Sequence, residues 1–166
     1  MKLSTRSRYG VRALFDIAYH SQEVPAQIKT ISKRQGVTPR YLEQIFQKLK
    51  RAGLVKSVRG PQGGYYLARE PEKIAVGDVL RAMEETIEPV FCARPPKGRS
   101  RKCRRESKCA AQVVWTEAGK RFRDYLDSVS LAKMCGIARG MRKRKRALPG
   151  FGHRGTGGNR RKNIYV

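Results

Sequence analysis

Between residues 38 and 67 the hydrophobic period of the chain changes once, and this change constrains the fold more than any other feature. In TPRYLEQIFQKLKRAG, Leu42, Ile45, Phe46 and Leu49 fall at i, i+3, i+4 and i+7, one face of a 3.6-residue helix. Thr38 is a suitable N-cap, Pro39 suits the first helical position, and Gly53 ends the run. Val55-Lys56-Ser57-Val58-Arg59 is then strand-like, GPQGG makes a turn, and Tyr65-Tyr66-Leu67 returns. A helix is thus followed directly by a hairpin with a glycine-rich, basic tip.

The flanking segments complete the pattern. Residues 6–20 read as a helix with Val11, Leu14, Phe15 and Ala18 on one face, broken at Val24-Pro25. A short helix follows over about 28–35, with Ile28 and Ile31 inward and Gly36 closing it. Two helices meeting at a tight turn, followed by a hairpin, make a winged helix-turn-helix. Residues 75–84 are helical again, with Val76, Val79, Leu80 and Met83 inward and Asp78, Glu84 and Glu85 on the wet side. Residues 92–108 are loop-like, with Pro95-Pro96, Gly98 and eight Lys/Arg. A long helix from roughly 108 to 128 carries Ala111, Trp115, Ala118, Phe122, Tyr125 and Val129 in alternating four- and three-residue steps. That is a seam for pairing with a second helix, or for packing on the chain's own body. Ser130 caps a short helix through Cys135, and the glycine-rich basic stretch after it reads as disordered. The expected fold is mostly α with a small β hairpin. Its parts are a winged helix-turn-helix domain over 1–90, a cysteine loop over 91–109, a dimerisation helix and short terminal helix over 110–135, and a basic tail over 136–166.

Charge narrows the partners. Of 166 residues, 38 are Lys or Arg and 13 are Asp or Glu, a net charge of +25. Residues 1–91 already carry 16 cations against 9 anions, so the excess is not confined to the tail. Such a field attracts polyanions, chiefly nucleic acid or an anionic membrane surface. No apolar run is long enough to span a bilayer, and MKLSTRSRYG lacks the core of a secretory signal, so a cytoplasmic location is expected. The sequence contains no nucleophile–base constellation or phosphate-binding loop, so catalysis is not expected.

The helix over 39–51 leaves Arg40, Glu43, Gln44, Gln47 and Lys48 off its buried stripe. Arg40, Glu43 and Gln44 lie in its opening turns, the part of a recognition helix that reaches base edges. Arginine suits guanine, glutamine suits adenine, and glutamate accepts from cytosine. The same residues would also serve as a solvated polar face. Arg59, just before the turn, is placed to enter the minor groove, and Lys2, Arg6, Arg8 and Lys56 to contact phosphates.

Three cysteines fall as Cys92-x10-Cys103-x5-Cys109, with Cys135 further on. This is not the paired spacing of a zinc ribbon. The spacing alone leaves three readings open: a metal site, reduced thiols, or a redox-sensing pair. The surrounding Arg94, Lys97, Arg99, Arg101, Lys102, Arg104, Arg105 and Lys108 would suit thiolate charge, touch DNA, or keep a loop soluble.

VTPRYLEQIFQKLKRAGLVKSVRGPQGGYYLAR resembles the recognition helix and wing of the IscR-like iron–sulfur regulators of the Rrf-two superfamily. The opening MKLSTRSRYGVRAL, the segment IAVGDVLRAMEE and the three cysteines leading to Trp115 match as well, so the resemblance covers about residues 1–135. It implies a homodimer on a two-fold double-stranded DNA operator, with helix 39–51 in the major groove and the hairpin in the minor groove. It also implies DNA contacts from Glu43, Gln44 and Arg59, and an iron–sulfur cluster on Cys92, Cys103 and Cys109, with 2Fe–2S ahead of 4Fe–4S. Iron–sulfur assembly proteins would then be partners. Arg40 stands where a smaller polar residue is common in the family. The family's histidine three residues after the last cysteine is replaced by Gln112. The fourth ligand is therefore open between Gln112, Glu106, a group from the partner subunit, and solvent. Cys135 matches no ligand. Two other readings remain: a cluster-free regulator of the same fold governed by a partner protein or thiol oxidation, and an RNA-binding protein led by the tail.

Overall fold

The computed structural model describes residues 3–21, 24–93, 103, 105 and 108–147, with side chains described as far as Arg142. Helix α1 (Thr5–His20) starts at Ser4, whose hydroxyl accepts from the Ser7 amide at 3.2 Å. Helices α2 (Ile28–Gln35) and α3 (Pro39–Arg51) follow, joined through Gly36 in the left-handed conformation at φ 64°. Glycine takes that conformation without the penalty a Cβ would bring. Thr38 occupies the N-cap of α3 with extended backbone, but its side chain makes no capping bond; the fixed φ of Pro39 starts the helix instead. Leu42, Ile45, Phe46 and Leu49 are all fully buried. They share one core with Leu14 and Ile17 of α1 and Ile31 of α2.

Strands β1 (Val55–Val58) and β2 (Gly64–Leu67) form the antiparallel hairpin, registered Val55 to Leu67 and Val58 to Gly64. The hairpin does more than project. Tyr65 exchanges both backbone hydrogen bonds with Ala26, at 2.9 and 3.0 Å, so the chain before α2 acts as a one-residue third strand. A Cβ on Gly64 would lie 2.5 Å from the Ala26 carbonyl oxygen, so this glycine permits the docking. The Tyr65 ring then packs 4.4 Å, centroid to centroid, from Phe46 of α3. The hairpin is thereby anchored to the buried side of α3.

Helix α4 (Val76–Ala82) begins with Asp78 reaching back to the Ala75 amide at 3.0 Å, so this residue caps the helix as well as facing solvent. Helix α5 (Ala110–Asp127) is different in kind: of its 18 residues only Gly119 is buried. The predicted seam divides. Phe122 and Val129 turn inward with Leu126 against Val76, Leu80 and Ile87 of the chain's own body. Ala111, Val114, Ala118 and Tyr125, at i, i+3, i+7 and i+14, form a separate exposed apolar stripe, flanked by the half-exposed Trp115. A straight helix carries 3.6 residues per turn, so a six-residue seam assigned by alternating steps spreads over two adjacent faces.

Helix α6 (Leu131–Ala147) is longer than the sequence reading, which ended it at Cys135. Ser130 does cap it, accepting from the Lys133 amide at 3.2 Å. Leu131 and Cys135 are buried in the main core, and Arg142 reaches the Tyr19 hydroxyl at 3.4 Å. Docking on α1 and the good helix formers of MRKRKRA outweigh Gly136 and Gly140. The rest of the expected tail, 148–166, lies outside the described residues.

Candidate nucleic-acid interface and cysteine centre

Burying one stripe of α3 leaves the opposite stripe to solvent. Arg40, Glu43, Gln44 and Gln47 are all exposed, as are Lys56 and Arg59 on the hairpin; Lys2 lies outside the described residues. Arg6 and Arg8 are exposed in the first turns of α1, and Lys50 donates to Ser57 at 2.6 Å, tying α3 to β1. The structure therefore gathers Arg40, Glu43 and Gln44 on one open helix face, with Arg59 beyond them on the wing.

A fully buried carboxylate holds this arrangement, and sequence reasoning missed it. Asp16, on the otherwise apolar side of α1, accepts from Arg34 Nε at 3.0 Å and Nη2 at 2.5 Å, and from Gln35 Nε2 at 2.8 Å. Arg12 in turn donates to the Gln35 side chain at 3.0 Å and to its backbone carbonyl at 2.7 Å. The Arg12 guanidinium lies 5.3 Å from the centroid of Tyr9, which meets Tyr41 of α3 edge-on at 6.0 Å. A buried carboxylate is tolerated only when its lone pairs are satisfied, so α1 and α2 are held at one spacing. The signal in the sequence was Asp16 itself, a charge between Phe15 and Ile17.

The turn that ends α4 touches both other helices of the interface. Glu85 accepts from the Ser4 amide at 3.2 Å and from the hydroxyls of Ser4 and Ser7, placing a carboxylate at the N-terminus of α1. Partial burial pushes the Glu85 pKa upward, but the hydrogen bonds from Ser4 and Ser7 outweigh it and hold it below the ordinary value. Glu84 has φ 58°, the only left-handed non-glycine residue among those described, and its carboxylate lies 2.5 Å from Lys48 Nζ on α3. The Lys48 hydrogen bond and charge lower the Glu84 pKa.

Cys92, Cys103 and Cys109 are each half-buried, whereas Cys135 is buried in the core, where desolvation raises its thiol pKa. Cys109 is the N-cap residue of α5, and Gln112 lies one turn further on. The Gln112 side chain donates to the Cys92 carbonyl at 3.1 Å, and so joins the first cysteine's segment to the third's. Among the described residues no three Cys, His, Asp or Glu side chains converge, and residues 94–102, with Glu106, lie outside that set. His20 packs edge-on against Tyr19 at the end of α1.

A winged helix with this recognition face and these three cysteines can be compared with known proteins. A sequence model of the Rrf2 family, described as iron-dependent transcriptional regulators, matches residues 3–136. The chain belongs to the Rrf2 family. The HTH-type transcriptional regulator IscR of Aliivibrio salmonicida is 42% identical over 134 residues, which is 81% of this chain and 77% of that one. IscR of Erwinia tasmaniensis is 40% identical over 134 residues, 81% of this chain and 78% of that one. Among solved structures, IscR of T. potens superposes with a TM-score of 0.64 at 38% identity, covering 92% of this chain and 95% of that one. CymR, the global cysteine regulator of B. subtilis, gives 0.70 at 32% identity, covering 82% and 98%. This Rrf2 chain is thus a DNA-binding transcriptional regulator with a winged helix-turn-helix fold, and its named relatives are regulators rather than enzymes. Among the described residues no helix is long and apolar enough to cross a membrane.

Proposed function

We propose that this Rrf2 regulator binds its operator as a homodimer under the control of an iron–sulfur cluster held by Cys92, Cys103 and Cys109. The observation that carries the reading is the Gln112 amide bonded to the Cys92 carbonyl one turn above Cys109. That bond draws two of the three thiol-bearing segments to one end of α5. The donor chemistry fits the group: thiolates are the usual cluster ligands, and none of the three thiols is sealed in the core as Cys135 is. With its Nε2 engaged, Gln112 keeps Oε1 for the fourth position, a weaker iron ligand than the imidazole of relatives; a 2Fe–2S cluster is favoured over 4Fe–4S.

When bound, the cluster supplies a one-electron and iron-sensitive centre. The protein's own residues do the rest. Cys109 and Gln112 pass any rearrangement to the start of α5, and Arg123, paired with Glu88 at 2.9 Å, ties α5 to the segment that leaves α4. Arg40, Glu43 and Gln44 would read base edges, Arg59 the minor groove, and Lys2 and Lys56 the phosphates. The exposed stripe of α5 would meet its counterpart in a second copy. A cytoplasmic setting and loading by iron–sulfur assembly proteins accompany this reading.

Anaerobic purification with iron and sulfide quantification tests it. The full chain should be coloured, and Cys92→Ala, Cys103→Ala or Cys109→Ala should each abolish the visible spectrum, whereas Cys135→Ala should retain it. Gln112→His should slow loss of the cluster in air. A colourless protein with all cysteines intact contradicts the cluster and leaves the thiol-governed regulator.

A further inference from the structure

The residue after the C-cap of α4 is Glu84, and it sits where helices ordinarily place glycine. The Glu85 amide bonds the Leu80 carbonyl at 3.0 Å and the Glu84 amide bonds that of Arg81 at 2.9 Å, a tight helix-terminating turn. Such a turn puts one residue in the left-handed region, where an L side chain incurs a cost that glycine avoids. Strained positions of this kind recur at functional sites. The side chain is 78% exposed, and a solvent-facing ion pair offsets little of that cost. Glu84 is therefore poorly explained as a stabilising residue.

Its partner explains it better. Lys48 projects from the flank of α3 one helical turn beyond Gln44, at the edge of the face that the proposed function assigns to DNA, and the inference rests on that assignment. A free ammonium there would bind any phosphate backbone. In a chain of net charge +25, sequence-independent affinity is already abundant, and each further cation adds to it without adding discrimination. We propose that Glu84 is a specificity-determining residue: its carboxylate withholds Lys48 from the DNA backbone, which keeps non-specific binding down and leaves the choice of sequence to the base-facing residues of α3. Opposing an unwanted contact in this way raises the ratio of affinities and not the affinity itself.

Glu84→Gly and Glu84→Gln separate this role from a structural one, because glycine suits the left-handed turn and glutamine keeps the side chain's size. The probes are a duplex of arbitrary sequence and the best duplex that the wild type selects from a randomised pool. Both variants should melt no lower than the wild type for glycine and close to it for glutamine. Both should bind the arbitrary duplex about five- to ten-fold more tightly near 0.1 M salt, with a salt slope steeper by about 0.9, the value of one added phosphate contact. The selected duplex should gain less, so discrimination falls. With Lys48→Gln in the background, Glu84→Gln should change nothing. Weaker binding of the arbitrary duplex, an unchanged salt slope, or an effect of Glu84→Gln that persists without Lys48 would each overturn the proposal. The last of these would mean that the carboxylate acts only through the overall field.

Discussion

Helices α3 and α5 make opposite uses of their apolar residues. In α3, four apolar side chains are fully buried against α1, α2 and the hairpin, and the polar face is left open. In α5, Val113 is 70% exposed, Val114 62% and Tyr125 63%, and only the Gly119 and Phe122 side of the helix touches its own chain. The first helix is finished by its own fold. The second is left incomplete, and contiguous exposed apolar surface of that kind marks an interaction site. In the proposed reading the body would supply recognition and α5 would connect one body to another, while Gln112 joins the helix to the Cys92 segment.

The largest effect that tests this contrast is loss of assembly. Val114→Asp combined with Tyr125→Asp should halve the mass measured by light scattering while leaving the helical content and core of the body intact. If the mass is unchanged, the exposed stripe is not the interface. Phe46→Ala should do the reverse. It removes a fully buried ring that also supports Tyr65, so we expect a loss of about 3–5 kcal/mol in denaturant unfolding. A loss under about 1 kcal/mol would mean that the core is looser than its burial shows.

Arg59→Ala is expected to be smaller and confined to binding. The side chain is exposed, so stability should hold while affinity for a selected operator falls by about 1–3 kcal/mol. If only non-specific binding drops, Arg59 is a phosphate contact. The smallest effect lies in the acid limb. Glu85 is held below its ordinary pKa of 4.5, so it contributes stability that is present above that pH and is lost as the pH falls through its folded pKa. Glu85→Gln should make stability less dependent on pH below 4.5. Glu117→Gln on α5 should do so less: its carboxyl is also held below the ordinary value by Arg121, but that pair is exposed and screened by solvent. Equal effects of the two substitutions would remove the distinction between body and helix on this count.

How much of this was legible in the sequence follows the same division. Leu42, Ile45, Phe46 and Leu49 announce α3 because a stripe buried within one chain leaves an uninterrupted 3.6-residue pattern. The hairpin was legible from its alternation and its GPQGG turn. Its docking through Ala26 was not, since a one-residue strand leaves no periodic trace. Asp16 could be seen as anomalous, but its partners Arg34 and Gln35 sit on another helix, where no local pattern points to them. Residues 136–147 were misread because Gly136 and Gly140 lower helix propensity and the basic run lacks an apolar period, while the contact with α1 that settles the matter is tertiary. The α5 seam read from the sequence joins the exposed Ala111, Ala118 and Tyr125 to the inward-facing Phe122 and Val129, because a face that packs on the body and a face left open both carry apolar residues. The paired roles of Glu84 and Glu85 were hidden for the same reason as Asp16: their partners Lys48, Ser4 and Ser7 are distant in sequence.

The central claim joins the two regions: the cysteine segment at the start of α5 governs how the body binds DNA. The direct test is the dissociation constant of one selected operator duplex, measured anaerobically and at a single fixed salt concentration, for the cluster-loaded protein and for the same preparation after the cluster is removed. The account predicts that the two constants differ by at least about tenfold, equivalent to about 1.4 kcal/mol of coupling, and that a Cys109→Ala protein gives the cluster-free value in both treatments. Identical constants for the loaded and the cluster-free protein, with the cluster demonstrably present in the first, would contradict it.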